Sequence, residues 1–169
     1  MAAVFESGRL RADGPVPVLL EVPEARATSA TGASPVLARA GNLTVSLAST
    51  PAQIEQALRL RHRVFVQELG ARDALRDGLE RDIFDPYCRH LVVRDEARDA
   101  VVGTYRLLMP EAAKALGCLY ADREFWLTRL NPLRDSIVEL GRTCVAPDYR
   151  NGPAIMLLWS GVGTLLASC

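Results

Sequence analysis

The sequence predicts an α/β (α+β) domain, a mixed sheet flanked by helices in the order β-α-loop-β-β-α-β-α. Three observations predict it. Short stretches alternate apolar and polar residues with a period of two, as half-buried strands do. They are interleaved with stretches that repeat at helical spacing. The composition, 49% apolar and 24% charged over 169 residues, is that of a globular chain of about one domain.

Residues 1–40 are rich in Ala, Gly, Pro, Ser and Thr and carry no sustained period. They are expected to form a flexible leader, with the domain occupying 41–169. Order is expected from Leu43, where Leu43, Val45 and Leu47 alternate with Thr44 and Ser46. Thr50-Pro51-Ala52-Gln53 then opens a helix. Thr50 can cap it, Pro51 suits its first position, and Gln53 stands where a capping box places it. Ile54, Ala57, Leu58, Val64 and Phe65 recur at helical spacing to about Glu68, and Gly70 ends the run. Residues 71–89 are charged and irregular, a loop of the length usually kept for function or left disordered. His90–Arg94 and Val101–Met109 read as a hairpin around the polar turn at 95–99. Pro110 and Glu111 open a brief helix that stops at Gly117. Residues 120–125 and 130–134 are short elements, and Ile137–Val145 is a strand. Pro153 starts a last helix, with Asn151 as its cap, that is apolar nearly all round and so is expected to be covered on both sides.

Twenty basic and twenty acidic residues cancel, which argues against a nucleic-acid binder, since phosphate contacts need a basic excess. No apolar run reaches the roughly 20 residues of a membrane span. Cys88, Cys118, Cys144 and Cys169 lie far apart without a CxxC pair. Neither a disulfide framework nor a metal site is expected, and a reducing, cytoplasmic compartment is. His62 and His90 have no ligand spacing. No GxSxG, HExxH, P-loop or GxGxxG motif occurs, which leaves hydrolase, zinc-protease and nucleotide-binding readings without support.

Several charges stand in apolar surroundings. Arg61 and Arg63 fall near the end of the first helix, Asp82 and Asp85 lie beside Phe84, Arg106 interrupts one strand, and Glu139 and Arg142 interrupt the next. Each can be a structural ion pair or a site residue, because a charge on a buried strand is costly unless paired or used. Strict alternation puts Glu139 and Arg142 on opposite faces. They share a pocket only if the strand is bulged, and a bulge is expected at 140–142 with Gly141 as its site. The turn Asp148–Pro153 leads into a helix N-terminus, either an ordinary connection or an anion cradle.

The pattern Leu60-Arg61-His62-Arg63-Val64-Phe65, then Asp82-Ile83-Phe84-Asp85, then His90-Leu91-Val92-Val93, resembles the Gcn5-related N-acetyltransferase (GNAT) superfamily. Val102–Leu108, Tyr120 with Glu124 and Phe125, and above all Glu139-Leu140-Gly141-Arg142-Thr143-Cys144-Val145 followed by Pro147, Tyr149-Arg150 and Leu157-Leu158-Trp159 resemble its acyl-carrier-protein-dependent branch. That branch holds the L-ornithine N-alpha-acyltransferases of ornithine lipid synthesis and, more loosely, the acyl-homoserine-lactone synthases. The resemblance covers about residues 43–167.

The resemblance implies an N-acyltransferase that moves a (3-hydroxy)fatty acyl group from acyl carrier protein to the α-amine of L-ornithine. No cofactor is held, the acyl-carrier thioester being a co-substrate. Glu139, Gly141 and Arg142 become the catalytic candidates, with Glu139 as base directly or through a water. Arg63, Phe65, Asp82, Asp85 and Arg106 become substrate-binding candidates. Val145, Arg150, Asn151 and Gly152 become candidates for holding the phosphopantetheine arm, with Arg150 and Arg134 meeting the acidic carrier. A peripheral association with the membrane is compatible with a lipid product. Relatives of this kind continue with further strands and a helix, so the sequence is expected to be the N-terminal part of that fold. An acyl-homoserine-lactone synthase, a coenzyme-A-dependent amine acetyltransferase and an inactive or non-catalytic acyl-carrier-binding module remain alternatives.

Overall fold

Among the described residues five strands form one sheet, each from the second onward paired antiparallel to its predecessor. A computed structural model describes residues 34–72 and 76–168. β1 (Ala38–Ala40) pairs with β2 (Leu43–Leu47), with Gly41 at the turn between them taking a φ of 58° that glycine adopts without strain. The sheet therefore begins inside the segment expected to be a flexible leader. The Ala-Arg-Ala of β1 has no apolar period to betray it. The strand forms because its backbone pairs with β2, and Leu37 N–H donates to the Val45 carbonyl at 2.8 Å. The rest of the leader, 1–33, lies outside the described residues.

The expected helix start is observed. Thr50 Oγ1 accepts from Gln53 N–H, and Gln53 Oε1 accepts from Ser49 N–H. That reciprocal cap opens α1 (Pro51–Arg61), which passes into a π-helical stretch over His62–Glu68. The hairpin follows as β3 (Arg89–Asp95) and β4 (Ala100–Leu108), then α2 (Pro110–Leu116) ending on left-handed Gly117. β5 (Glu139–Val145) precedes α3 (Ala154–Leu166). Asn151 is not the cap of α3: Pro153 holds that position, and no side chain bonds there.

Facing residues of paired strands share a side of the sheet. One side carries Val45, Leu91, Val93 and Gly103, and α3 lies on it. Its Leu158 packs near Val93 and Gly103. Its Gly161 approaches so closely that a Cβ there would stand 2.9 Å from Val45 Cγ2. The other side carries His90, Thr104 and Arg106, and meets α1. Only one face of α3 is covered. Ala154, Leu157, Leu158, Gly161 and Val162 are buried, while Met156 and Trp159 are exposed. A second, smaller core of Phe84, Leu108, Ala113 and Leu119 seats α2 against the sheet. Among the described residues, no helix is long and apolar enough to cross a membrane, and no cluster could hold a metal ion.

Candidate active site

β5 carries one more residue than β4 across from it. Arg106 pairs with Gly141 and Thr104 with Cys144, so Arg142 and Thr143 together face Tyr105. The bulge is real, but it is displaced from the expected position. Gly141 pairs regularly, and the left-handed residue is Arg142, with a φ of 51°. A side chain in that region costs roughly 1–2 kcal/mol. Glycine would take the conformation without penalty, so the guanidinium's own contacts must hold it.

Those contacts belong to a closed network of three arginines and three carboxylates. Arg61, wholly buried, donates through Nε to Glu80 Oε2 at 2.5 Å and through Nη1 and Nη2 to both oxygens of Asp85 at 2.6 and 3.2 Å. Asp85 also accepts from Asp82 N–H at 2.7 Å and lies 3.4 Å from Arg106 Nη1. Arg106 donates to Asp82 Oδ1 at 2.7 Å. Arg142 donates through Nε to Glu80 Oε1 at 3.0 Å, and its Nη2 stands 3.7 Å from Asp82 Oδ2. Formal charges in this ring sum to zero, three against three, which is how a fold tolerates charge at this depth.

The electrostatics follow from the pairing. Burial opposes the charge of Asp85, but the Arg61 hydrogen bond and field outweigh it and hold the carboxyl below its ordinary range. For Arg106 and Arg142 burial again opposes charge, and the hydrogen bonds to Asp82 and Tyr120 raise both above the ordinary arginine value. Burial pushes the His90 imidazole down, so it sits neutral beside the ring, 3.9 Å from Asp85 Oδ1. Burial also pushes the Cys88 thiol up to about 12, which makes it inert rather than nucleophilic.

Beside the ring lies a cavity of about 40 Å³ lined by Phe84, Cys88, Arg106, Leu108, Tyr120 and residues 139–142. It has room for about one water, not for a substrate. Tyr120 organises it. Its ring packs edge-on against Phe84 and lies under the Arg106 and Arg142 guanidinium groups at 5.4 and 4.9 Å. Its hydroxyl accepts from Arg142 Nη2 at 3.0 Å. Glu139 is held from the same turn: Oε2 accepts Tyr120 N–H at 2.6 Å and Oε1 accepts Ala121 N–H at 2.8 Å. Both oxygens are thus engaged, and a carboxylate's remaining lone pairs leave it able to receive a proton through a water.

The structure brings together six of the expected residues: Glu139, Gly141 and Arg142 at the cavity, with Asp82, Asp85 and Arg106 in the ring. Arg63 is not among them. It is exposed, because two residues on from Arg61 it points to the far side of the helix. Phe65 packs against the main core rather than the cavity. Val145 is buried, and its carbonyl accepts from Arg150 Nε at 3.0 Å, while Arg150 Nη2 donates to Glu68 at 2.6 Å. Arg150 thus ties the post-strand turn down, and Asn151 and Gly152 are exposed beyond it. Arg134 is likewise engaged, forked onto Asp122.

Glu80 escaped the sequence reading, which singles out Arg61 and Tyr120 without giving either a role in the site. Arg61 carried a signal: Ile54, Ala57, Leu58 and Arg61 continue one helical stripe, which Arg63 leaves. Glu80 and Tyr120 sit in irregular segments where no period marks a facing side.

Residues 60–160 match the acetyltransferase (GNAT) domain family, and the chain belongs to that family, as the motifs led one to expect. It is 44% identical over 137 residues to the L-ornithine N(alpha)-acyltransferase of Brucella abortus strain 2308, covering 75% of this chain and 48% of that protein. The protein of the same name from Rhodobacter capsulatus is 41% identical over 126 residues, 70% of this chain and 49% of that one. The one from Rhizobium meliloti strain 1021 is 39% identical over 146 residues, 80% and 49%. The chain spans about half the length of the curated relatives it matches.

Proposed function

We propose that this chain carries the acyl-transfer site of an N-acyltransferase that moves a fatty acyl group from the thioester of acyl carrier protein to the α-amine of L-ornithine. The observation that carries the reaction class is the bulge on β5, with Arg142 left-handed beside Tyr120 and Glu139, in a chain of the GNAT family. The acceptor rests on the names of the relatives. A carrier-borne donor fits the turn before α3, where Pro153 supplies no N–H and the Arg150 guanidinium is already engaged by the Val145 carbonyl and Glu68. That is a poor cradle for the pyrophosphate of coenzyme A.

In this reading the ornithine amine must lose a proton before it attacks, and Glu139 receives that proton through a water in the small cavity. The nitrogen bonds to the thioester carbon as the carbonyl electron pair moves to oxygen. The oxyanion collapses and the C–S bond breaks as the attacking nitrogen gives up its second proton, which the departing thiolate takes, while the proton first received by Glu139 passes to solvent. In this reading a backbone N–H of the bulge near Gly141 and Arg142 donates to the developing oxyanion, with the Arg142 guanidinium and the Tyr120 hydroxyl as further donors. In this reading the reaction runs in the cytoplasm, next to the membrane that receives the lipid.

The test is incubation of the chain with 3-hydroxyacyl carrier protein and L-ornithine, with the product identified by mass spectrometry. Nα-acylornithine is expected, with Glu139→Gln slower by about 10²–10⁴-fold. Acylation of another amine, or from acyl coenzyme A alone, would replace this assignment. Normal turnover in Glu139→Gln would remove the base role.

A further inference from the structure

We infer that Glu80 is the positioning residue of the β5 bulge: its carboxylate, seated on buried Arg61, grips the Arg142 guanidinium at Nε and keeps that residue left-handed. The relevance of this grip to acyl transfer rests on the function proposed above, whereas the geometry does not.

Glu80 belongs to the irregular segment between α1 and the Asp82–Asp85 pair, yet its place is fixed three ways. Its N–H donates to the Leu58 carbonyl of α1 at 3.2 Å. Its Oε2 accepts from Arg61, which is wholly buried and anchored again by Asp85. Its Oε1 accepts from Arg142 Nε at 3.0 Å. The carboxylate is thus clamped on one side by a rigid cation and offers its other oxygen to the bulge. Arg142 has two further neighbours, and both act at the far end of the guanidinium. Tyr120 accepts from Nη2, and Asp82 lies 3.7 Å from Nη2, beyond hydrogen-bond reach. Glu80 is the acceptor at Nε, the nitrogen nearest the backbone, and so has most leverage over an unfavourable φ. It does not line the cavity, so it acts on the chemistry as a positioning residue, directly on Arg142 and, by way of Arg61, on the rest of the ring.

The experiment follows the Arg142 Nε–H resonance in the ¹⁵N-labelled chain, assigned by its disappearance in Arg142→Lys. In Glu80→Gln the resonance is expected to shift and its exchange with water to rise at least tenfold. In Tyr120→Phe, which frees only Nη2, it is expected to stay in place with its exchange unchanged. An unmoved resonance in Glu80→Gln overturns the inference, and so does its loss in Tyr120→Phe. If Glu80→Gln does not fold, Glu80→Asp takes its place, since it keeps a carboxylate for Arg61 but draws the second oxygen back from Arg142 Nε, and an unmoved resonance there overturns the inference equally. Where acyl transfer is measurable, Glu80→Gln and Arg142→Lys are expected to lower kcat to a similar degree, and the double variant no further than either. Multiplicative losses contradict the inference. Absence of turnover in the parent counts against the proposed function alone, because the resonance arms stand without it.

Discussion

Asp85→Asn tests whether the charge ring is a structural unit. Asp85 is 9% exposed and meets Arg61 through both oxygens, with Arg106 3.4 Å away. The substitution keeps shape and volume but removes one negative charge, so a balanced ring of three and three becomes three against two. Arg61 has no access to water with which to make up the loss. Breaking a buried pair by removing one partner costs about 3–5 kcal/mol, out of a total stability of roughly 5–15 kcal/mol for a domain. At about 3–4 °C per kcal/mol for a domain of this size, the melting temperature should fall by roughly 10–20 °C. The matched control is Asp77→Asn. Asp77 pairs with Arg81 at the surface, and such pairs contribute only about 0–1 kcal/mol. Urea titration and thermal melting by circular dichroism would measure both variants against the parent. If Asp85→Asn costs no more than Asp77→Asn, the ring does not hold the fold, and the argument that buried charge here is stabilised by pairing fails.

Acid should destabilise the protein in two steps. His90 is neutral in the fold with its titration pushed down by burial, so below about pH 6.5 the unfolded chain gains protons that the fold does not. Stability therefore starts to fall there, and His90→Gln should flatten that first limb in melts taken between pH 7 and 5. Asp85, held low by Arg61, adds a second loss as pH passes below the ordinary aspartate value near 4, and Asp85→Asn should remove it. Gly161→Ala should lower the melting temperature by the equivalent of about 1–3 kcal/mol, because its Cβ would meet Val45 and Leu91. Gly163→Ala faces open space in the same helix and should raise it by up to about 1 kcal/mol; equal effects would refute the close contact between α3 and the sheet. Cys88 and Cys144, pushed up to about 12 by burial, carry one thiolate in ~10⁴ at pH 8. Both should resist disulfide-exchange reagents in the folded protein and react promptly in urea.

Local signals were legible directly. The alternation at 43–47, the Thr50–Gln53 cap, the hairpin around 95–99 and the stop at Gly117 all depend on residues within a few positions of one another. The chain states such relations wherever it folds. The family motifs likewise placed Asp82, Asp85, Arg106, Glu139 and Arg142 as candidates before any contact was known. What could not be read was which charge meets which. Glu80 and Arg142 are 62 residues apart, Glu139 and Tyr120 are 19, and an ion pair leaves no period in a sequence. For the same reason the left-handed turn fell on Arg142 rather than on Gly141. Backbone preference alone favours glycine, but a guanidinium gripped by partners from α1's following loop and the Tyr120 turn outweighs it. Secondary structure here follows from neighbours along the chain. The site exists only once the sheet has brought distant carboxylates and arginines within about 3 Å, where desolvation makes each pairing obligatory.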